Sequence, residues 1–183
     1  GSEQSGHIKE VGIELYFKML NECIKDLKNE KKPNIDWSPV LNLGFSFNIP
    51  ENYIVNLDIR MQIYRKISEI NEILDLKDIV KNLEDRFGKF PDLFENLFKL
   101  IEIKILCKKL NIKKIEKAKN GFAIELRNEK VKYTDKLIEL AKLNFDKIKL
   151  LPNSKLMYIS KIENNDLDLK QLKIFLEMLL EYV

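Results

Sequence analysis

The side chains able to perform chemistry are few and scattered. His7 is the only histidine. It has neither a cysteine nor a second histidine at ligand spacing, which argues against a zinc site. Cys23 and Cys107 fall in helical apolar patterns without a Cys-x-x-Cys context. They read as buried thiols of a cytoplasmic chain rather than as a disulfide. Ser5-Gly6-His7 sets a hydroxyl beside an imidazole, but the two side chains diverge in most backbones and no acid recurs to orient the histidine. Ser46 and Ser154 stand alone, and the carboxylates are too dispersed to nominate an acid–base pair. There is no glycine-rich phosphate loop and no acidic pair of helicase type. We therefore expect no catalytic, metal-binding or cofactor-binding residue in this chain, no ATP hydrolysis by it, and an interaction domain as its class.

Two charged groupings remain. Lys104, Lys108, Lys109, Lys113, Lys114, Lys117 and Lys119 form a candidate basic patch, which gives one reading: an independent nucleic-acid-binding module. Against it, arginine is scarce and no aromatics interleave with the lysines. The net charge is only +3, from 32 basic and 29 acidic residues, too small to imply nucleic acid by itself. The second grouping is Glu84, Asp85 and Arg86, immediately before Gly88. Carboxylates at a helix C-terminus oppose the helix dipole, so they suit a basic partner.

That second grouping sits on the stretch around which the chain is organised, residues 75–88, DLKDIVKNLEDRFG. Leu76, Ile79, Val80, Leu83 and Phe87 recur at helical spacing. Asp75 is expected to cap the helix start, Gly88 to cap its end, and Pro91 to open a second helix. Upstream, a polar segment leads into a helix carrying Ile13, Tyr16, Leu20, Cys23 and Leu27. Pro33 stops it, so we place a boundary with residues 1–32 as the tail of a larger upstream module and residues 33–183 as a separate domain. Residues 39–49 alternate as a half-buried strand, with Gly44 as a bulge candidate. Residues 49–54 form an ordered loop. Asn56 or Asp58 caps a helix with Ile59, Ile63, Tyr64 and Ile67 on one face and Arg60, Arg65 and Lys66 on its flank.

From Pro91 to Leu110 the apolar face is wide enough for a central core helix. Asn120-Gly121 marks a hairpin between strands at 112–117 and 122–127. A helix over 133–143, two short strands around Pro152-Asn153-Ser154 and a final helix capped by Asp166 or Asp168 complete an α+β fold: a helical half, then a small antiparallel sheet packed with helices. No apolar run reaches the roughly 18 residues of a membrane span, and no signal-peptide pattern opens the chain.

Four segments together resemble the bacterial transcription-repair coupling factors. Residues 1–20, GSEQSGHIKEVGIELYFKML, are similar to the end of that family's motor module, with Ser2 in place of an acidic residue. Residues 49–54, IPENYI, resemble its apolar-Pro-acidic-x-aromatic-Ile stretch, although Val55-Asn56 replaces the Pro-Asp that usually follows. Arg60, Tyr64 and Leu83 to Gly88 with Pro91 resemble its Arg, Tyr and Leu-x-Asp-Arg-Phe-Gly-x-x-Pro signature. Asn111-Ile112 with Ile115 resembles its Gly-Ile-x-x-Ile segment.

The resemblance implies a regulatory, autoinhibitory C-terminal domain of an ATP-dependent, magnesium-requiring double-stranded DNA translocase that displaces stalled RNA polymerase and recruits excision repair. The domain would pack on the UvrB-like N-terminal module and mask the surface that UvrA competes for. Gln4 corresponds to the motor's coupling glutamine. Asp85 corresponds to an interface acid that meets arginine on the N-terminal module, with Glu84 and Arg86 beside it. Asn82 stands where the family often has a second carboxylate, so one ion pair of that interface is missing unless Asp78 or Glu84 supplies it.

Overall fold

The computed structural model describes residues 37–127, 134–160 and 165–182. The expected motor tail, including Gln4, Cys23 and the boundary at residue 32, lies outside the described residues. Those described form an α+β fold with five helices and a five-stranded mixed sheet, and they divide into two compact units. Residues 46–101 belong to the first, residues 38–45 and those from 102 onward to the second.

The first unit is helical. Helix α1 (Leu57–Ser68) starts at Asn56, whose side-chain oxygen accepts the Ile59 N–H at 3.1 Å. This settles the choice between Asn56 and Asp58. Asp58 in the first turn and Arg65 and Lys66 in the last match the dipole. Ile63, Tyr64 and Ile67 are buried, and the Tyr64 hydroxyl accepts the Ile49 N–H at 2.6 Å. Burial pushes the Tyr64 phenol up to about 12.

Arg60 is buried rather than on the flank: its guanidinium donates to the carbonyls of Ile54 (2.7 Å) and Val55 (3.1 Å), with Glu51 at 3.7 Å. The loop at 49–55 folds back on itself, Tyr53 and Ile54 both donating to the Pro50 carbonyl. Its remaining carbonyls need a buried donor, and no periodicity of α1 reveals that.

Helix α2 (Ile73–Phe87) begins ahead of Asp75, and its N-cap residue Glu72 makes no side-chain cap bond. Asp75 is thus a first-turn acid and not the cap. Helix α3 (Asp92–Lys109) follows Pro91, whose carbonyl accepts from Phe94 and Glu95. Phe94, Leu97, Leu100 and Ile101 are buried in the first unit; the same helix then buries Ile103, Ile105, Leu106 and Cys107 in the second.

The second unit is built on the sheet, in the order β1-β2-β3-β5-β4. Strands β2 (Ile112–Ala118) and β3 (Gly121–Leu126) form the expected hairpin, and β4 (Ile148–Leu151) and β5 (Lys155–Ile159) a second one. The sheet is mixed rather than wholly antiparallel, because β1 (Val40–Asn42) pairs parallel with β2, Leu41 opposite Ile115. The expected strand at 39–49 is only three residues long, since Gly44 takes φ +73° and turns the chain out of the ladder. Leu41, Ile115, Phe122, Ile124 and Leu156 share the buried face.

Helix α4 (Thr134–Leu143) buries Leu140. Helix α5 (Asn165–Tyr182) buries Leu169, Leu172, Phe175, Leu176 and Leu179, and Phe175 stacks on Tyr158 with ring centroids 4.1 Å apart. It starts before both nominated caps, so Asp166 and Asp168 are helix residues; the Asp168 carboxylate is fully buried, 3.7 Å from the Lys117 ammonium.

Gly121 is a glycine for a reason that its turn signal does not state. The turn residues Lys119 and Asn120 are not among the residues with positive φ, whereas Gly121 itself, at φ +139°, lies in the strand. A Cβ there would sit 1.9 Å from the Tyr158 carbonyl oxygen on β5. Gly121→Ala is therefore expected to force β3 from β5 and cost at least about 3 kcal/mol, read as a lowered urea midpoint. A midpoint within error of the parent would show that the two strands separate freely.

Candidate interaction surface

The corner between α2 and α3 is held from within. Gly88, at φ +81°, donates its N–H to the Glu84 carbonyl at 2.8 Å, closing the last turn of α2. A Cβ at Gly88 would meet nothing within 4 Å, so its backbone angles, in a region essentially reserved for glycine, require that residue rather than any lack of space. The Gly88 carbonyl accepts the Tyr53 hydroxyl at 2.8 Å. The Tyr53 ring lies edge-on to Phe94 at 5.9 Å and Phe90 at 6.3 Å, and Phe98 stacks on Phe94 at 4.8 Å. Desolvation, and secondarily the Glu84 charge, raise the Tyr53 phenol above its ordinary value, which keeps the hydroxyl a donor.

On this frame Asn82, Glu84, Asp85 and Arg86 are all exposed. Arg86 places its guanidinium 4.8 Å from the Phe87 ring centroid. Asn82 and Arg86, one turn apart, also line a shallow groove of about 120 Å³ with Ile63, Lys66, Ile79 and Leu83; Glu84 and Asp85 lie outside it. The four residues singled out from the sequence thus share one helix end, and the structure subdivides them into two carboxylates and a pair beside an apolar groove. A carboxylate next to the partly negative end of a helix concentrates negative potential, and an arginine fork can engage both a carboxylate and a free carbonyl.

The groove escaped sequence reasoning. Its signal was present: α2 has more apolar positions than one buried face needs. Only Leu76 is buried, while Ile79, Val80, Leu83 and Phe87 stay half-buried.

The lysine patch is dispersed by pairing. Lys113 meets Glu125 at 3.1 Å, Lys155 approaches the same carboxylate at 3.8 Å, and Lys114 meets Glu116 at 2.6 Å. Hydrogen bonds from Lys114 and Lys113 hold the Glu116 and Glu125 carboxyls below their ordinary range. Lys117 lies 4.6 Å from the Phe45 ring centroid and faces Asp168. Lys104, Lys108 and Lys109 also have interaction partners. Lys119 is exposed at the hairpin turn. Lys113 thus meets an acid of the neighbouring strand, Lys114 one of its own strand and Lys117 one of α5.

Among the described residues no three His, Cys, Asp or Glu side chains cluster to hold a metal. Cys107 is buried, which pushes its thiol well above the usual range and leaves no accessible thiolate. No described helix is long and apolar enough to cross a membrane.

Known proteins match this chain over most of its length. The TRCF domain family model matches residues 43–137, which spans both the corner and the β2–β3 hairpin. The chain is 37% identical over 171 residues to the transcription-repair-coupling factor of Rickettsia conorii, covering 91% of this chain and 15% of that protein. It is 30% identical over 174 residues to the factor of Buchnera aphidicola subsp. Acyrthosiphon pisum, covering 93% of this chain and 21% of that one. It thus spans about 15–21% of the length of these relatives. A crystal structure of the C-terminal domain of transcription-repair coupling factor superposes with a TM-score of 0.69 at 22% identity, covering 80% of this chain and 94% of that one; at that identity it speaks for the fold.

Proposed function

Because this chain belongs to the transcription-repair coupling factor family, we propose that it is the C-terminal regulatory domain of an ATP-dependent double-stranded DNA translocase, acting as a clamp that holds the protein closed. The supporting observation is the Glu84-Asp85-Arg86 helix end, whose side chains are exposed and whose backbone is fixed by the Gly88 cap and the Tyr53 bond. In this reading Asp85 engages an arginine of the UvrB-like N-terminal module and thereby masks the surface that UvrA competes for. Asn82 leaves one ion pair of that interface unfilled unless Asp78 or Glu84 supplies the carboxylate.

ATP and magnesium belong to the remainder of the full-length cytoplasmic protein, as does contact with RNA polymerase and duplex DNA. Gln4 would couple ATP hydrolysis to movement there. The chain itself regulates and does not hydrolyse. The ion-paired state of the β2 lysines counts against an independent nucleic-acid-binding module.

Deleting residues 33–183 from the full-length protein is the test. Basal ATPase and UvrA affinity are both expected to rise by at least about 30-fold, the release of roughly 2 kcal/mol or more of closure. A truncated protein that keeps parental ATPase and UvrA affinity would remove the clamp from the account.

A further inference from the structure

The second unit carries an apolar surface that the corner does not involve. Strand β4 is the edge of the sheet, pairing only with β5 among the described residues. Edge strands are normally short, covered or charged, because their free backbone groups template pairing with another chain. Here Ile148 is covered: its N–H donates to the Asn144 carbonyl and its side chain is buried. The next residues are not. Leu150 and Leu151 are 43% and 41% exposed, and the preceding turn leaves Phe145 78% exposed.

Between α4 and the sheet runs a groove of about 200 Å³, walled by Leu126, Leu137, Ile138, Leu150, Leu151 and Leu156. Leu150 pairs with Leu156 on the face that holds this groove. A strand laid beside β4 would alternate its side chains, sending every second one toward the groove and the others toward solvent.

The charges around the edge select the occupant. Lys147 and Lys149 are exposed on the strand and its approach, with the exposed Asp146 before them, while Lys155 on the facing strand is shared with Glu125. Pairing of this edge with a second copy would bring the lysines of the two copies together, which is unfavourable for directly opposed like charges. An acidic strand would neutralise them. We infer that the β4 edge is a docking site for an extended, acidic segment of another protein, added as a further antiparallel or parallel strand with alternate apolar side chains in the groove. Backbone pairing would supply affinity and the groove and lysines would supply selectivity.

The test pans the intact chain against a phage-displayed library of random linear peptides. Enriched peptides are expected to alternate acidic and apolar residues. Their binding should slow amide hydrogen exchange at Leu150, and weaken roughly tenfold on Leu150→Asp and on Lys149→Glu. Both variants change exposed side chains, and circular dichroism checks that they fold. Failure to enrich peptides, enrichment of basic peptides, or binding unaffected by Leu150→Asp would overturn the proposal. So would a dimer of the chain that Leu150→Asp dissociates, since the occupant would then be a second copy.

Discussion

Asp85→Lys in the full-length protein is expected to raise both UvrA affinity and basal ATPase while leaving the stability of this domain within about 0.5 kcal/mol of the parent. The fold should tolerate it because the side chain is exposed at the end of α2. The effect at an interface is larger. An exposed pair is worth roughly 0.2–1 kcal/mol, whereas breaking a desolvated, hydrogen-bonded charge pair costs about 2–5 kcal/mol. The second regime applies if the helix end arrives preorganised, and Gly88 and Tyr53 hold it so. Reversal also sets lysine against the expected arginine.

We therefore place the loss near 2 kcal/mol, about 30-fold in the closed-to-open ratio. Asn82→Asp is the opposite control: it restores a carboxylate one turn away, and basal activity should fall. Surface plasmon resonance with UvrA and a steady-state ATPase assay read both. Unchanged values in a folded Asp85→Lys protein would mean that this carboxylate holds nothing.

Phe94→Ala is expected to destabilise the first unit by about 3–5 kcal/mol, the range for removing a buried phenylalanine. Phe94 is fully buried at the start of α3, with Phe90 at 5.0 Å, Phe98 at 4.8 Å and Tyr53 at 5.9 Å. Truncation leaves a cavity and removes three ring contacts together, each worth up to about 1.5 kcal/mol beyond burial. Phe94→Leu should cost much less, about 1–2 kcal/mol, since most of the volume stays. Urea unfolding followed by tyrosine fluorescence measures both. The functional corollary is specific: the alanine variant loosens the Tyr53 ring that tethers Gly88, so it should weaken the clamp without touching Asp85. Equal stability of the alanine and leucine variants would show that the aromatic cluster does not hold the corner.

Local chemistry made part of this readable from residue order. Gly88 followed by Pro91 is a helix stop and restart that needs no distant partner, and both act as expected. Asn120-Gly121 located its hairpin, although the glycine is required by the neighbouring strand β5 and not by the turn. Asp75 looks like a cap in the sequence, but the helix starts at Ile73, after Glu72, whose side chain caps nothing, and Leu76 is its buried residue.

Non-local pairings stayed hidden. Nothing in residues 39–49 announces that Val40 will lie beside Lys114 in a parallel ladder. Arg60 reads as a surface cation until the loop at 49–55 delivers its carbonyls, and Lys117 reads as part of a basic patch until α5 brings Asp168 to it. For the corner, the acids were legible by their position before Gly88. The groove beside Asn82 was not, because whether Ile79 and Leu83 are core or surface depends on how closely α1 approaches.

The most direct measurement is the affinity of this chain for a separately made N-terminal module, by isothermal titration calorimetry at about 0.05 M and about 0.5 M salt, where the screening length falls from roughly 14 Å to 4 Å. The clamp account predicts a one-to-one complex at low salt that weakens at high salt and weakens about 30-fold on Asp85→Lys. Absence of a complex at low salt, or an affinity that Asp85→Lys leaves unchanged, would contradict it.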